Sequence, residues 1–122
     1  MSVKKVLVVD DSPTERHALS EILRRAGYEV NTCDSGEEAV TQSKLLLPDL
    51  ILMDVVMPGL NGFQATRVIA RDEATKHIPV IICTTKSQET DKIWGLRQGA
   101  RDYIVKPIDA NDLLEKITRL DG

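Results

Sequence analysis

Three aspartates, two threonines and a lysine draw notice because each follows directly on a short apolar run. Asp10 and Asp11 come after residues 6–9, Asp54 after 50–53, Thr84 and Thr85 after 80–83, and Lys106, with Pro107 next, after 103–105. If those runs are neighbouring strands of one parallel sheet, the polar residues meet along a single rim. Carboxylates brought that close raise one another's pKa unless a cation sits among them. A hard divalent ion that takes oxygen ligands and keeps several waters meets that need, and Mg²⁺ is the best match. An aspartate carboxylate can also attack phosphorus and form an aspartyl phosphate. Metal, lysine and hydroxyl then have three phosphoryl oxygens to hold. The set predicts phosphoryl chemistry.

The elements that must position these groups can be read from periodicity. Continuous rather than alternating apolarity marks strands buried on both faces, as in a parallel sheet covered by helices. Residues 28–33 alternate instead, with Tyr28, Val30 and Thr32 against Glu29, Asn31 and Cys33, which predicts a half-exposed strand at a sheet edge. Between the strands lie helical stripes. Leu19, Ile22, Leu23 and Ala26 share one face, with Pro13 suited to a first helical turn and Gly27 to a C-terminal cap. Ser35 and Glu38 form a capping-box pattern ahead of Ala39, Val40, Ser43, Leu46 and Leu47, and Pro48 ends that helix. Asn61 is placed to cap a third helix through Phe63, Thr66, Ile69 and Ala70. A polar fourth helix over 88–98 carries Ile93, Trp94 and Leu96 and stops at Gly99. Asp109 caps a fifth, with Leu113, Leu114, Ile117 and Leu120 inward. The order βαβαβαβαβα predicts a doubly wound parallel sheet, whose ligands bind beyond the carboxyl ends of the strands.

Composition excludes several alternatives. A chain of 122 residues is the size of one domain, here 1–122, and its 42% apolar and 29% charged content is that of a globular protein. The net charge of −3 leaves no basic footprint for nucleic acid or anionic lipid. No apolar run is long enough to span a membrane or to form a signal-peptide core. Cys33 and Cys83 lie in strand-like segments and read as reduced, buried, structural thiols of a cytoplasmic protein. His17 and His77 lack metal-ligand spacing and read as surface residues, as do Arg24 and Arg25. Trp94 reads equally as local packing or as a partner contact.

Four segments together resemble the receiver domains of two-component response regulators: Val8-Val9-Asp10-Asp11-Ser12, residues 52–62 around Asp54, Cys83-Thr84-Thr85, and residues 99–107 ending in Lys106-Pro107. The resemblance runs the length of the chain. It implies an α/β, flavodoxin-like (βα)5 fold with a five-stranded parallel sheet in the order 2-1-3-4-5. It implies that Asp54 is the phosphoacceptor, that Asp10 and Asp11 are the acid pair of a metal site, and that Asp11 and Asp54 ligate Mg²⁺ beside the Val56 backbone carbonyl. Thr84 takes the role of the hydroxyl that moves toward the phosphoryl group, Lys106 that of its cationic partner, and Tyr103 that of an aromatic switch. A cis Lys106–Pro107 bond is also implied. Residues 57–67 and 84–92 resemble more closely the single-domain receivers of pilus-linked chemotaxis systems, which serve twitching motility.

The implied function is a phosphorylation-controlled interaction switch, with no catalysis beyond its own phosphoacceptance and dephosphorylation. Its expected partners are a CheA-like sensor histidine kinase as donor and an output protein, in the closer reading the pilus machinery, met through the fourth helix, fifth strand and fifth helix. The chain ends one helix after Lys106, so output is expected from the receiver surface or from use as a phosphate sink. Excision from a larger DNA-binding regulator would give the same sequence. A rival, an aspartate-nucleophile phosphatase of the haloacid dehalogenase type, needs a second aspartate two residues after the first, and Ser12 stands there. Val56, Thr85 and Lys86 surround the expected acyl phosphate with an apolar group, extra bulk and a shielding cation, which together predict slow self-dephosphorylation.

Overall fold

The computed structural model describes residues 2–85 and 89–121, with side chains described for 2–85 and 92–120. Lys86 and the start of the expected fourth helix at Gln88 lie outside the described residues. Strands β1 (Lys5–Val9), β2 (Glu29–Cys33), β3 (Leu50–Asp54), β4 (Val80–Thr84) and β5 (Asp102–Val105) alternate with helices α1 (Pro13–Arg25), α2 (Gly36–Leu46), α3 (Gly62–Arg71), α4 (Glu89–Arg97) and α5 (Ala110–Asp121). All strand pairs are parallel and the order across the sheet is 2-1-3-4-5, the flavodoxin-like arrangement.

Strands three and four are buried at every position because both of their faces are covered. One face presents Leu7, Val9, Ile51, Met53, Val80 and Ile82 to Ala39 of α2 and to Ala65 and Ile69 of α3. The opposite face presents Val6, Val8, Leu50, Leu52, Ile81 and Cys83 to Leu19 and Leu23 of α1 and to Leu113 and Ile117 of α5. The two-residue alternation of a strand thus sorts one continuous apolar run into two separate cores.

The helix ends follow the expected chemistry. Ser12 caps α1 by accepting from the Glu15 N–H, Ser35 caps α2 by accepting from Glu38, and Asn61 and Gln64 close a reciprocal capping box on α3. Gly27, at φ +97°, lets the chain turn left-handed after Ala26, the capping residue itself. Three details refine the sequence reading, of which the exposure of Ala26 and Leu47 departs from it. In β2, Cys33 is buried, as expected of a structural thiol, and Thr32 is exposed, because α2 covers the carboxyl end of the edge strand on the Cys33 face. Ala26 and Leu47 lie exposed at helix ends, where the stripe has run past the sheet. In α4, in keeping with its polar pattern, Ile93, Trp94 and Leu96 are all exposed, and Gly95 is buried against Phe63 and Ile82.

Candidate functional site

The carboxyl edge of the sheet is built by the residues that end β1, β3, β4 and β5. Asp10 follows β1 and is almost wholly buried, 1% exposed. Its N–H donates to the Cys33 carbonyl at 3.2 Å, and its Oδ1 accepts from the Ser12 N–H at 2.9 Å. The Arg16 guanidinium donates to the Asp10 carbonyl at 2.8 Å. Asp10-Asp11-Ser12-Pro13 is thus both a turn into a capped helix and a carboxylate pair. The same bonds that start α1 lock Asp10, and Asp11 is left exposed beside it.

Asp54 is the last residue of β3, opposite Cys83 of β4. Burial pushes its carboxyl pKa up, the Lys106 ammonium opposes that, and the Asp10 charge adds to the rise. One oxygen from each of Asp10, Asp11 and Asp54 lies within 4.8 Å of the others. Lys106 follows β5, where its N–H donates to the Thr84 carbonyl at 2.7 Å and its bond to Pro107 is cis. Its ammonium reaches back across the sheet edge to Asp10 Oδ2 at 3.0 Å, Asp54 Oδ1 at 2.9 Å and Glu15 Oε2 at 2.7 Å. Burial alone lowers the pKa of such an amine, but the bonds to Glu15, Asp54 and Asp10 outweigh it and hold the ammonium above the ordinary lysine range. An ammonium has three N–H donors, and all three are engaged.

Thr84 is buried at the end of β4, one position past the residue facing Asp54 and directly opposite Val105, the residue before Lys106. The register therefore sets it between the aspartate and the lysine. Tyr103 is not in this cluster. It is half-buried in β5, opposite Ile82, with the Lys92 ammonium 4.7 Å and the Lys116 ammonium 5.7 Å from its ring centroid. Val56 lies in the β3–α3 loop with its side chain largely exposed, just ahead of the buried anchor Met57. That loop is pinned at its far end, where Glu37 of α2 accepts from the Leu60 N–H at 3.1 Å. At Gly62 the α3 backbone touches the end of β3. Its N–H donates to the Val55 carbonyl at 3.0 Å, and a Cβ there would overlap the Asp54 carbonyl oxygen.

Glu15 escaped the sequence reading, although its signal was present. Ser12 and Glu15 have capping-box spacing, and in such a box the glutamate would accept from the Ser12 N–H. Asp10 already takes that N–H, which releases the Glu15 carboxylate to reach Lys106.

Three hard oxygen donors about one point, with the Lys106 ammonium the one cation bonded to them among the described residues, fit a small divalent cation of the Mg²⁺ kind. Comparison with known proteins gives the same picture. The family model described as the response regulator receiver domain matches residues 6–118. Protein PilH of Pseudomonas aeruginosa is 54% identical over 113 residues, covering 93% of either chain. Among solved structures, the chemotaxis protein CheY4 of Vibrio cholerae superposes with a TM-score of 0.90 at 35% identity, covering 97% of this chain and 98% of that one. The receiver domain of the sensor histidine kinase PA1611 from P. aeruginosa superposes with a TM-score of 0.88 at 31% identity over 97% of each chain, and it carries a magnesium ion coordinated in its active-site cleft.

Proposed function

The chain belongs to the response regulator receiver domains of two-component signalling, and from that premise we propose that it takes a phosphoryl group from a sensor histidine kinase onto Asp54 and signals by protein contact in a pilus-linked chemotaxis pathway. The observation that carries the reading is the Lys106 ammonium, held between the strand-end carboxylates Asp10 and Asp54 at 3.0 and 2.9 Å. A cation enclosed between two buried aspartates is an arrangement suited to stabilise charge developing on a transferred phosphoryl group. Similarity to PilH over nearly its whole length supports the pilus-linked pathway.

Each residue has a role in that reading. The Asp54 carboxylate is the nucleophile, and its burial strips away the water that would otherwise blunt its attack. Lys106 supplies positive charge to a phosphoryl oxygen, and Thr84 supplies a hydroxyl from the adjoining strand end. Asp10, Asp11 and Asp54, with the Val56 backbone carbonyl, would hold Mg²⁺. When bound, the ion offsets the carboxylate charge and polarises phosphoryl oxygens. Locking by Ser12 keeps Asp10 rigid as charge changes around it. Tyr103 and the exposed Ile93, Trp94 and Leu96 form the proposed output surface, and Tyr103 is the switch residue within it. The proposed setting is the cytoplasm. Among the described residues no helix is long and apolar enough to cross a membrane.

The test is labelling with a small phosphoryl donor in Mg²⁺, read by intact mass. Wild type should gain one phosphoryl group, acid-stable and alkali-labile as an acyl phosphate is. Asp54→Asn or excess EDTA should abolish the gain. Undiminished labelling in either case overturns the assignment. For the pathway, transfer from the pilus-system kinase of the source organism should outpace transfer from its other kinases. Preference for an unrelated kinase overturns that part alone.

A further inference from the structure

Glu15 has no part in the phosphoacceptor set described above, yet it makes the shortest contact to Lys106. The lysine's three N–H donors go to Asp10, Asp54 and Glu15, so none is left for an incoming phosphoryl oxygen. One acceptor has to give way. Asp10 cannot, since it is 1% exposed and its other oxygen is tied to the Ser12 N–H. Asp54 is itself the reacting group, fixed at the end of a central strand. Glu15 is different. It rises from the first turn of α1, its side chain is 45% exposed, and among the described residues its carboxylate has no other side-chain partner. It alone can swing into water at little cost.

We infer that Glu15 is a positioning residue that occupies the third N–H of Lys106 in the unphosphorylated protein and must release it for a phosphoryl group to be bound at Asp54. This rests on Asp54 being the phosphoacceptor. In wild type, breaking the Lys106–Glu15 bond is then part of the barrier to phosphorylation. A through-space charge effect is separable from this. The Glu15 charge repels an anionic donor before it binds and so raises its KM, whereas the contact holds back the bound donor and so lowers the maximal rate constant.

The reaction for the test uses phosphoramidate with Mg²⁺. An Asp54 oxygen forms the P–O bond and the P–N bond breaks. Its electron pair stays on nitrogen, which leaves as ammonia because the donor nitrogen is already protonated. The phosphorylation rate is followed by intact mass against donor concentration for wild type, Glu15→Gln, Glu15→Ala and Glu15→Asp. A charged hydrogen bond exceeds a neutral one by enough to make the maximal rate constant of Glu15→Gln about fivefold higher, and that of Glu15→Ala at least as high. Glu15→Asp keeps the charge in the first turn but is one methylene too short for Lys106, so its maximal rate should rise as well. A rise confined to 1/KM, no change in either constant, or a wild-type maximal rate in Glu15→Asp overturns the inference. A loss of helix stability, checked by thermal melting of the same variants, slows labelling and so cannot imitate the expected gain. Labelling of Asp54→Asn, or none of wild type, would instead remove the phosphoacceptor reading beneath it.

Discussion

Substituting Gly62 by alanine sets two opposed effects against each other, and the structure decides the sign. Alanine in a helix is favoured over glycine by about 1 kcal/mol in the interior, and by less in the first turn, where Gly62 sits. Against this, the added Cβ would overlap the Asp54 carbonyl oxygen and stand 2.8 Å from the Asp54 carbonyl carbon and 2.9 Å from the Val55 Cα. All three are backbone atoms, so no side chain can rotate away. Ordinary carbon contacts are about 3.5–4 Å, and α3 must therefore back away from the end of β3 or drag that end with it. Backing away stretches the Gly62 to Val55 hydrogen bond, worth about 1 kcal/mol, and repacks the buried Ala65, Thr66 and Ile69, for which overpacking typically costs about 1–3 kcal/mol. The net expectation is destabilisation of about 2 kcal/mol, a fall in Tm of about 5–10 °C. Asp54 would also shift against Asp10 and Lys106, and a displacement near 1 Å in a phosphoryl-transfer site costs about tenfold or more in rate. Urea unfolding followed by circular dichroism gives the stability, and phosphoramidate labelling gives the rate. Gly27→Ala is the control, since a Cβ there meets nothing within 4 Å and the only cost is its positive φ. If Gly62→Ala unfolds within about 0.5 kcal/mol of wild type and labels at the wild-type rate, the close approach of α3 to Asp54 does not govern the site.

Two further outcomes follow from burial and from the loop beside Asp54. Burial pushes both the Cys33 and Cys83 thiols up to about 12, so alkylation by iodoacetamide at pH 8 should be slower in the native protein than in urea by at least about a hundredfold, and near-equal rates would refute their enclosure. Val56→Asn puts a polar group in place of an exposed valine two residues after Asp54 and should shorten the lifetime of the acyl phosphate several-fold by orienting water for in-line attack; an unchanged decay rate would show that Val56 does not limit hydrolysis.

The strands and the residues that end them were legible because a parallel sheet writes its architecture into short continuous apolar runs. Leu50 to Met53 is buried on both faces, so no polar residue interrupts it, and the first polar residue after the run is the one at the rim. The same logic brought out Asp10, Thr84 and Lys106. The edge strand was legible in a different way. Alternation in residues 28–33 located it as half-exposed, and the burial expected of a structural thiol, rather than the alternation, marks the side on which α2 covers Cys33. The fourth helix was the least legible. Its polar pattern marks no inward stripe, and the contact with Phe63 and Ile82 is made by Gly95, where the absence of a side chain lets the backbone come close. A hydrophobicity pattern cannot register a contact made by a missing side chain.

Glu15 shows a different limit. Strand-end reasoning finds groups that the sheet delivers to the rim, because their distance from the last apolar residue is fixed. A group that enters from a helix is delivered by whichever hydrogen bond it fails to make locally. Ser12 and Glu15 carry the spacing of a capping box, and by spacing alone the glutamate belongs to the helix end. It reaches Lys106 only because the Ser12 N–H is already bonded to Asp10, a residue whose own placement comes from β1. Two local patterns compete for one donor, and the loser becomes part of the site. The same competition operates at other helix starts beside a strand-end acid: where a side chain ahead of the cap takes the capping N–H, the glutamate three residues on is released to act across the sheet edge.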